Sequence, residues 1–255
     1  MNIFKYLAKI ILLKPLYNAL IFLVWLMPGR NLGLAIIGLT IITRLILLPS
    51  SIKATVSQRR LKELQPEMDK IREKYKDDKQ GQSKALLEFY FQHKINPLGS
   101  CLPLLIQFPI LIILYYVFRI GVDTSRFDLL YGFMPRPETV NSLFLGINLA
   151  KPDPHFILPI IAGLSQLAVG LQMRADMPKP KKDASQAEQM QGMLGQQMIF
   201  LTPLLTFFIA MKLPSALPLY WIAYSLFMII QQWLIMRGKL GGQKATVKIR
   251  EKVDK

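Results

Sequence analysis

The chain has 255 residues, 52% of them hydrophobic, and a formal net charge of +16. Its apolar residues gather in blocks too long for strands, which excludes an ordinary soluble domain with scattered apolar runs. One cysteine, Cys101, and two separated histidines, His93 and His155, exclude an internal disulfide and leave no metal-ligand cluster.

Lys5, Lys9 and Lys14 precede an apolar stretch at residues 15–27, an arrangement that imitates a signal peptide. No small-residue cleavage site follows, only Met27-Pro28-Gly29-Arg30, so residues 1–30 read as a retained segment, interfacial or membrane-embedded. Five spans are expected after it, at about 31–50, 98–118, 156–173, 198–211 and 217–236. The first carries a lone arginine, Arg44, and Pro49 marks its approach to the far side. The second contains Pro103 and Pro109, which membrane helices tolerate because neighbours re-satisfy the freed carbonyls. A polar linker covers 174–191, a tight link at 212–215 joins the last two spans, and residues 237–255 form a basic tail. No internal repeat suggests an inverted-repeat transporter.

Lysine and arginine placement sets the orientation. The loop between the first two spans holds eleven basic residues, the 174–182 linker four and the tail seven, which makes 22 on one side. The opposite loops hold five: Arg119, Arg126, Arg136, Lys151 and Lys212. The first span therefore runs from outside to inside and the tail is cytoplasmic. Much of the net charge serves orientation, and no DNA partner is needed to explain it.

Residues 53–97 read as a cytoplasmic helical hairpin. Leu61, Leu64, Met68, Ile71 and Tyr75 recur at spacings of three and four. Gly81 suits the turn, and Leu86, Leu87, Tyr90 and Phe91 supply a facing stripe. Pro66 is expected to bend the first helix. Glu67 and Arg72 belong to a solvated face of mixed charge. A moving platform for substrates and a plain antiparallel pair both fit this pattern.

Arg44 is the residue that carries chemistry. A central arginine costs roughly 2.5–3.5 kcal/mol to insert. Snorkelling to the cytoplasm is disfavoured, because side chains tilt toward a helix's N-terminus, here the outer side. No Asp or Glu occurs in the five spans, so no buried carboxylate can pair with it there. A hydrated cavity inside the bundle is the favoured reading. Thr40, Thr43, Gln107, Gln166, Gln172, Thr202, Thr206, Tyr220, Tyr224, Ser225, Gln231 and Gln232 add polar groups within the spans. Each alone reads as interhelical glue. With an unpaired arginine they suggest a hydrophilic interior that draws acidic or polar segments into the bilayer. No phosphate loop, nucleophile–base pair or carboxylate dyad is present, so neither enzymatic chemistry nor a cofactor is expected.

Several strings together resemble the YidC/Oxa/Alb insertase family. They are Gly33–Ile37 with Thr40, Arg44 and Pro49; Leu64–Met68 with Ile71–Tyr75; Asn96–Pro103 leading to Gln107–Ile110; Asp153-Pro154 with Ile157–Ile160; and Pro214 through Leu219-Tyr220-Trp221, then Leu226-Phe227 and Gln231-Gln232. The resemblance implies an all-α five-helix core whose groove opens to cytoplasm and lipid and is closed outside. Arg44 would be the groove arginine, with Trp221 and Tyr220 beside the other groove residues and Pro66, Glu67, Arg72 and Tyr75 in the hairpin. Residues 7–27 would lie as an interfacial helix on the outer face. The large periplasmic domain of many members would be absent, since some thirty residues precede the first span. Ser225 stands where an asparagine is usual, and Ala216 where a glycine is common.

The function this resemblance implies is that of an insertase in the bacterial inner membrane. It would receive nascent membrane proteins, release them into the lipid bilayer and help them fold. The Sec translocon and, through the basic tail, the ribosome are further partners it brings into view. A channel or small-solute transporter is the competing reading. It needs a continuous polar path, yet residues 32–39 are almost wholly apolar. A membrane enzyme would need paired catalytic groups that the sequence does not offer.

Overall fold

The structure, a computed structural model, describes residues 9–93, 111–119, 129–174, 186–237 and 240. The chain divides into two compact units, each taken by itself below. The first comprises Met1–Ile46, Ile106–Gly170 and Met198–Ile229; the second comprises Leu47–Leu105, Leu171–Gln197 and Ile230–Lys255. Of the expected features, most of the span at 98–118, Gln107 and nearly all of the tail lie outside the described residues.

The described residues are mostly helical. After a π-helical turn at Lys9–Leu13 come α1 (Lys14–Leu26), α2 (Leu32–Glu63), α3 (Gln65–Lys74) and α4 (Lys79–Gln92). Next are α5 (residues 111–119) and the strands β1 (Leu143–Phe144) and β2 (Ile147–Asn148). The helices α6 (Ile157–Arg174), α7 (Gln186–Ala210) and α8 (Ala216–Met236) follow. Among the described residues, three helices are long and apolar enough to cross a membrane: Leu32–Ser57 within α2, then α6 and α8. Ile10–Leu26 and Ile199–Ala210 are apolar but shorter.

Helix α2 starts at an asparagine cap, where Asn31 Oδ1 accepts from the Leu34 N–H at 3.1 Å. It does not stop at Pro49 but continues to Glu63. One proline removes a single backbone hydrogen bond, which an apolar helix with packed neighbours absorbs. Likewise α7 begins at Gln186, inside the stretch expected to be linker.

In the first unit, α1 turns Tyr17, Leu20, Ile21 and Val24 fully into the core. There they join Leu32, Ala35 and Ile36 of α2, Val117 of α5 and Leu217 of α8. Asn18, 1% exposed, ties α1 to the loop before the hairpin. Its Nδ2 donates to the Leu129 carbonyl at 3.1 Å, and its Oδ1 accepts from the Tyr131 N–H at 2.8 Å. Small residues bring α6 onto α7. A Cβ on Gly170 would stand 3.0 Å from Ile199 Cγ2 and 3.4 Å from the Ile199 carbonyl oxygen. Pro203, four residues on, has no N–H to offer that carbonyl. Gly163 meets the Pro203 carbonyl in the same way, at 3.4 Å. Close backbone approach at small residues is how membrane helices pack without a hydrophobic driving force between them.

In the second unit, α3 and α4 bury Leu64, Met68 and Phe89 together, with Ile71, Leu86 and Tyr90 packed around them. The face of α4 thus runs 86, 89, 90. Leu87 and Phe91, expected on the facing stripe, are 58% and 75% exposed. The helical run is interrupted beside Pro66, as expected: Leu64 alone separates α2 from α3, and Pro66 sits in the first turn of α3, where its missing N–H costs nothing. Gly81 is not in the turn. It lies in the first turn of α4, where its N–H donates to Asp78 Oδ1 at 2.9 Å and a Cβ would collide with that carboxylate. Farther along, Gln231 Nε2 donates to Ser51 Oγ at 2.8 Å.

Candidate groove site

Arg44 lies in the first unit, 12 residues after Leu32 and 13 before Ser57, hence at the middle of the candidate spanning segment. At ~1.5 Å per residue each end is about 18–20 Å away. The side chain is 8% exposed. Its guanidinium carbon sits 4.4 Å from the Tyr224 ring centroid and 5.8 Å from that of Phe227, and Nη2 donates to the Met228 sulfur. A guanidinium stacks well on an aromatic face because its plane is weakly hydrated and the ring face is negative. The α8 residues 224, 227 and 228 recur at helical spacing and present one face to it.

Among the described residues no carboxylate pairs with Arg44. Its Nε is buried with no hydrogen-bond partner, and so is Ser225 Oγ, 1% exposed. A buried guanidinium N–H with no acceptor is costly unless something else supplies one.

The other expected residues fall in different places. The Thr40 hydroxyl donates to the Ile36 carbonyl at 2.7 Å, and that of Thr43 to the Leu39 carbonyl at 2.8 Å, so both donate within their own helix. Tyr220 and Trp221 are buried on α8, and the Tyr220 ring stands 6.1 Å from Tyr224 and 6.3 Å from Phe118. Gln166 is half-buried on α6 in the first unit, whereas Gln172, also half-buried, belongs to the second. In the helix pair, Arg72 Nη1 reaches Asp69 at 3.1 Å and its carbonyl accepts from Gln82 Nε2 at 2.9 Å. Glu67 stands 3.8 Å from His93 Nε2, Pro66 is exposed, and Tyr75 is half-buried. Met228 escapes sequence reasoning, and Phe227 enters it only through the family resemblance, because aromatic and sulfur side chains on a span read as ordinary packing. Their recurrence with Tyr220, Tyr224 and Gln231 at steps of three and four is the signal that would find them.

The family model described as 60Kd inner membrane protein matches residues 24–242. The chain belongs to the 60Kd inner membrane protein family. The match to this family takes in α2 through α8, and with them Arg44 and the whole α8 face that holds it. The protein named membrane protein insertase YidC in Fusobacterium nucleatum subsp. nucleatum is 36% identical over 211 residues, covering 81% of this chain and 87% of that protein. Its namesake in Haemophilus influenzae is 35% identical over 225 residues, 88% of this chain but 36% of that protein. In Francisella tularensis subsp. novicida the figures are 37% over 207 residues, 81% and 33%. This chain thus spans most of the first relative and about a third of the other two.

Proposed function

We propose that this chain is a membrane protein insertase of the inner membrane, in which Arg44 receives polar or acidic segments of nascent membrane proteins before they pass laterally into lipid. The observation that carries the reading is a mid-span guanidinium held by Tyr224 and Met228, with no carboxylate on it among the described residues and with Nε unmet. Such a group attracts a client carboxylate or carbonyl without forming a permanent pair. The insertase names of the relatives support the same reading. Purified protein in vesicles should render the translocated end of a short single-span client protease-resistant, without passing small solutes. Solute flux without client protection would favour a channel.

The arrangement we propose has five spans. The Lys14–Leu26 helix lies at the outer face, the α3–α4 pair at the cytoplasmic face, and the tail from Arg237 meets anionic lipid or the ribosome. The 22-to-5 distribution of basic residues supports it. In a Cys101→Ser background, Lys76→Cys should resist an impermeant thiol reagent applied to intact cells, while Glu138→Cys should label. Labelling of Lys76→Cys from outside would reverse the orientation.

A further inference from the structure

The loop between β1 and β2 consists of two residues, Leu145 and Gly146, with φ of 50° and 80°. Two successive positive φ values are the signature of the tight hairpin turn whose first position ordinarily falls to Asn, Asp or Gly. A leucine there strains its backbone. It is also 87% exposed. In water both features work against it at once, and asparagine would serve better on each count. Leu143, two residues earlier on the strand, is 56% exposed as well, while Phe144 between them turns onto Gly33, where a Cβ would fall on its ring.

The hairpin is fastened to the end of a spanning helix. Asn31 Nδ2 donates to the Leu143 carbonyl at 2.8 Å, and the Leu32 N–H donates to the Asn141 carbonyl at 2.9 Å. The Asn141 N–H in turn donates to the Arg30 carbonyl at 3.1 Å. The candidate membrane span begins at Leu32. The hairpin is therefore held at the level where chain passes from bilayer to water. Exposed Leu34 continues the apolar surface toward the span, and the exposed pair Arg30–Glu138, 3.7 Å apart, marks a polar rim.

We propose that Leu143 and Leu145 form a lipid anchor, a hairpin tip seated among the acyl chains at the N-terminal end of α2. The occupant is lipid because the hairpin is hydrogen-bonded through Leu143 and Asn141 to the cap and first residue of a helix whose exposed large side chains over its first four turns, Leu34, Ile41, Ile42, Leu45 and Ile46, are apolar. The anchor rests on α2 crossing the bilayer, and it holds whichever way the helix faces and whatever Arg44 does.

The test uses single-cysteine forms of the full chain in a Cys101→Ser background, labelled with an environment-sensitive fluorophore and placed in lipid nanodiscs with or without brominated acyl chains. Probes go at Leu145→Cys and at Leu143→Cys, which leaves the turn untouched, with Glu138→Cys as the water-exposed reference. The anchor predicts blue-shifted emission at 143 and 145 and a loss to brominated lipid several-fold greater than at 138. Water-like emission at both positions would overturn it. Blue-shifted emission without quenching would overturn it too, in favour of a second copy of this chain covering the tip. A probe at Ile46, 71% exposed on α2, separates lipid contact of the tip from lipid contact of the span. Quenching at 46 but not at 143 or 145 removes the anchor alone, whereas its loss at 46 as well removes the spanning reading beneath it.

Discussion

Arg44→Ala is expected to reduce insertion of clients with an acidic translocated segment by about tenfold to a hundredfold. Opposite charges 4 Å apart attract by about 4 kcal/mol where the effective dielectric is near 20. Part of that is lost to desolvating the client carboxylate. A remainder of about 1.4–2.8 kcal/mol corresponds to one or two factors of ten. Alanine also strips the guanidinium from Tyr224 and Met228, both of which remain packed on α8. Arg44→Lys separates charge from shape. Lysine keeps the positive charge but cannot lie flat on the Tyr224 ring or offer several donors in one plane. Its activity should fall between arginine and alanine. Clients apolar enough to partition unaided should insert almost equally well with all three, as measured by protease protection in vesicles of one lipid composition.

The largest expected effect on stability falls at Asp153. Its side chain is 1% exposed, with Oδ1 accepting from the His155 N–H at 3.0 Å and Oδ2 from the Leu158 N–H at 2.8 Å. The second bond satisfies one of the orphan donors that open α6, and the negative charge lies at the positive end of that helix. Asp153→Ala leaves the buried Leu158 N–H and the part-buried His155 N–H without acceptors and should cost about 2–3 kcal/mol. Asp153→Asn keeps one acceptor oxygen and should cost about 1 kcal/mol. Thermal unfolding of the purified protein in one detergent checks both. Equal stability of Asp153→Ala and the parent would mean that the start of α6 is held by something other than this cap.

The apolar blocks that become α2, α6 and α8 are plain in the sequence, because a bilayer demands an unbroken apolar length that few soluble helices reach. The lack of any Asp or Glu within the spans is equally plain, and it makes Arg44 conspicuous from the sequence alone. The surroundings of Arg44 are not legible in the same way. Phe227 and Met228 are apolar residues on an apolar helix, Tyr224 is one of several polar groups along the spans, and only contact with the guanidinium singles these three out. Thr40 and Thr43 each donate to a carbonyl of their own helix at the preceding turn, a contact that any helix offers a threonine and that leaves the hydroxyl oxygen free to accept.

Punctuation residues give the other divergences. Pro49 stands inside α2, whereas Pro66 opens α3, and both are prolines flanked by polar and apolar residues alike. What separates them is whether the preceding turn has packing that survives the loss of one hydrogen bond, which a single sequence does not record. The pairs Leu86-Leu87 and Tyr90-Phe91 fit two helical registers equally well. Phe89 decides between them by burying with Leu64 and Met68, which leaves Leu87 and Phe91 outward.

On the proposed route a client segment passes beside Arg44 inside the helices and not along their lipid face. A photoreactive residue at Thr43, half-buried next to the arginine, tests this most directly against one at Ile46, 71% exposed on the same helix. Ribosome-stalled clients of increasing length should be presented to each form in membranes. Thr43 probes should crosslink to the client at intermediate lengths, more strongly when its segment is acidic, and Arg44→Ala should remove this preference. Efficient crosslinking at Ile46 with none at Thr43, while insertion proceeds at the normal rate, would contradict it.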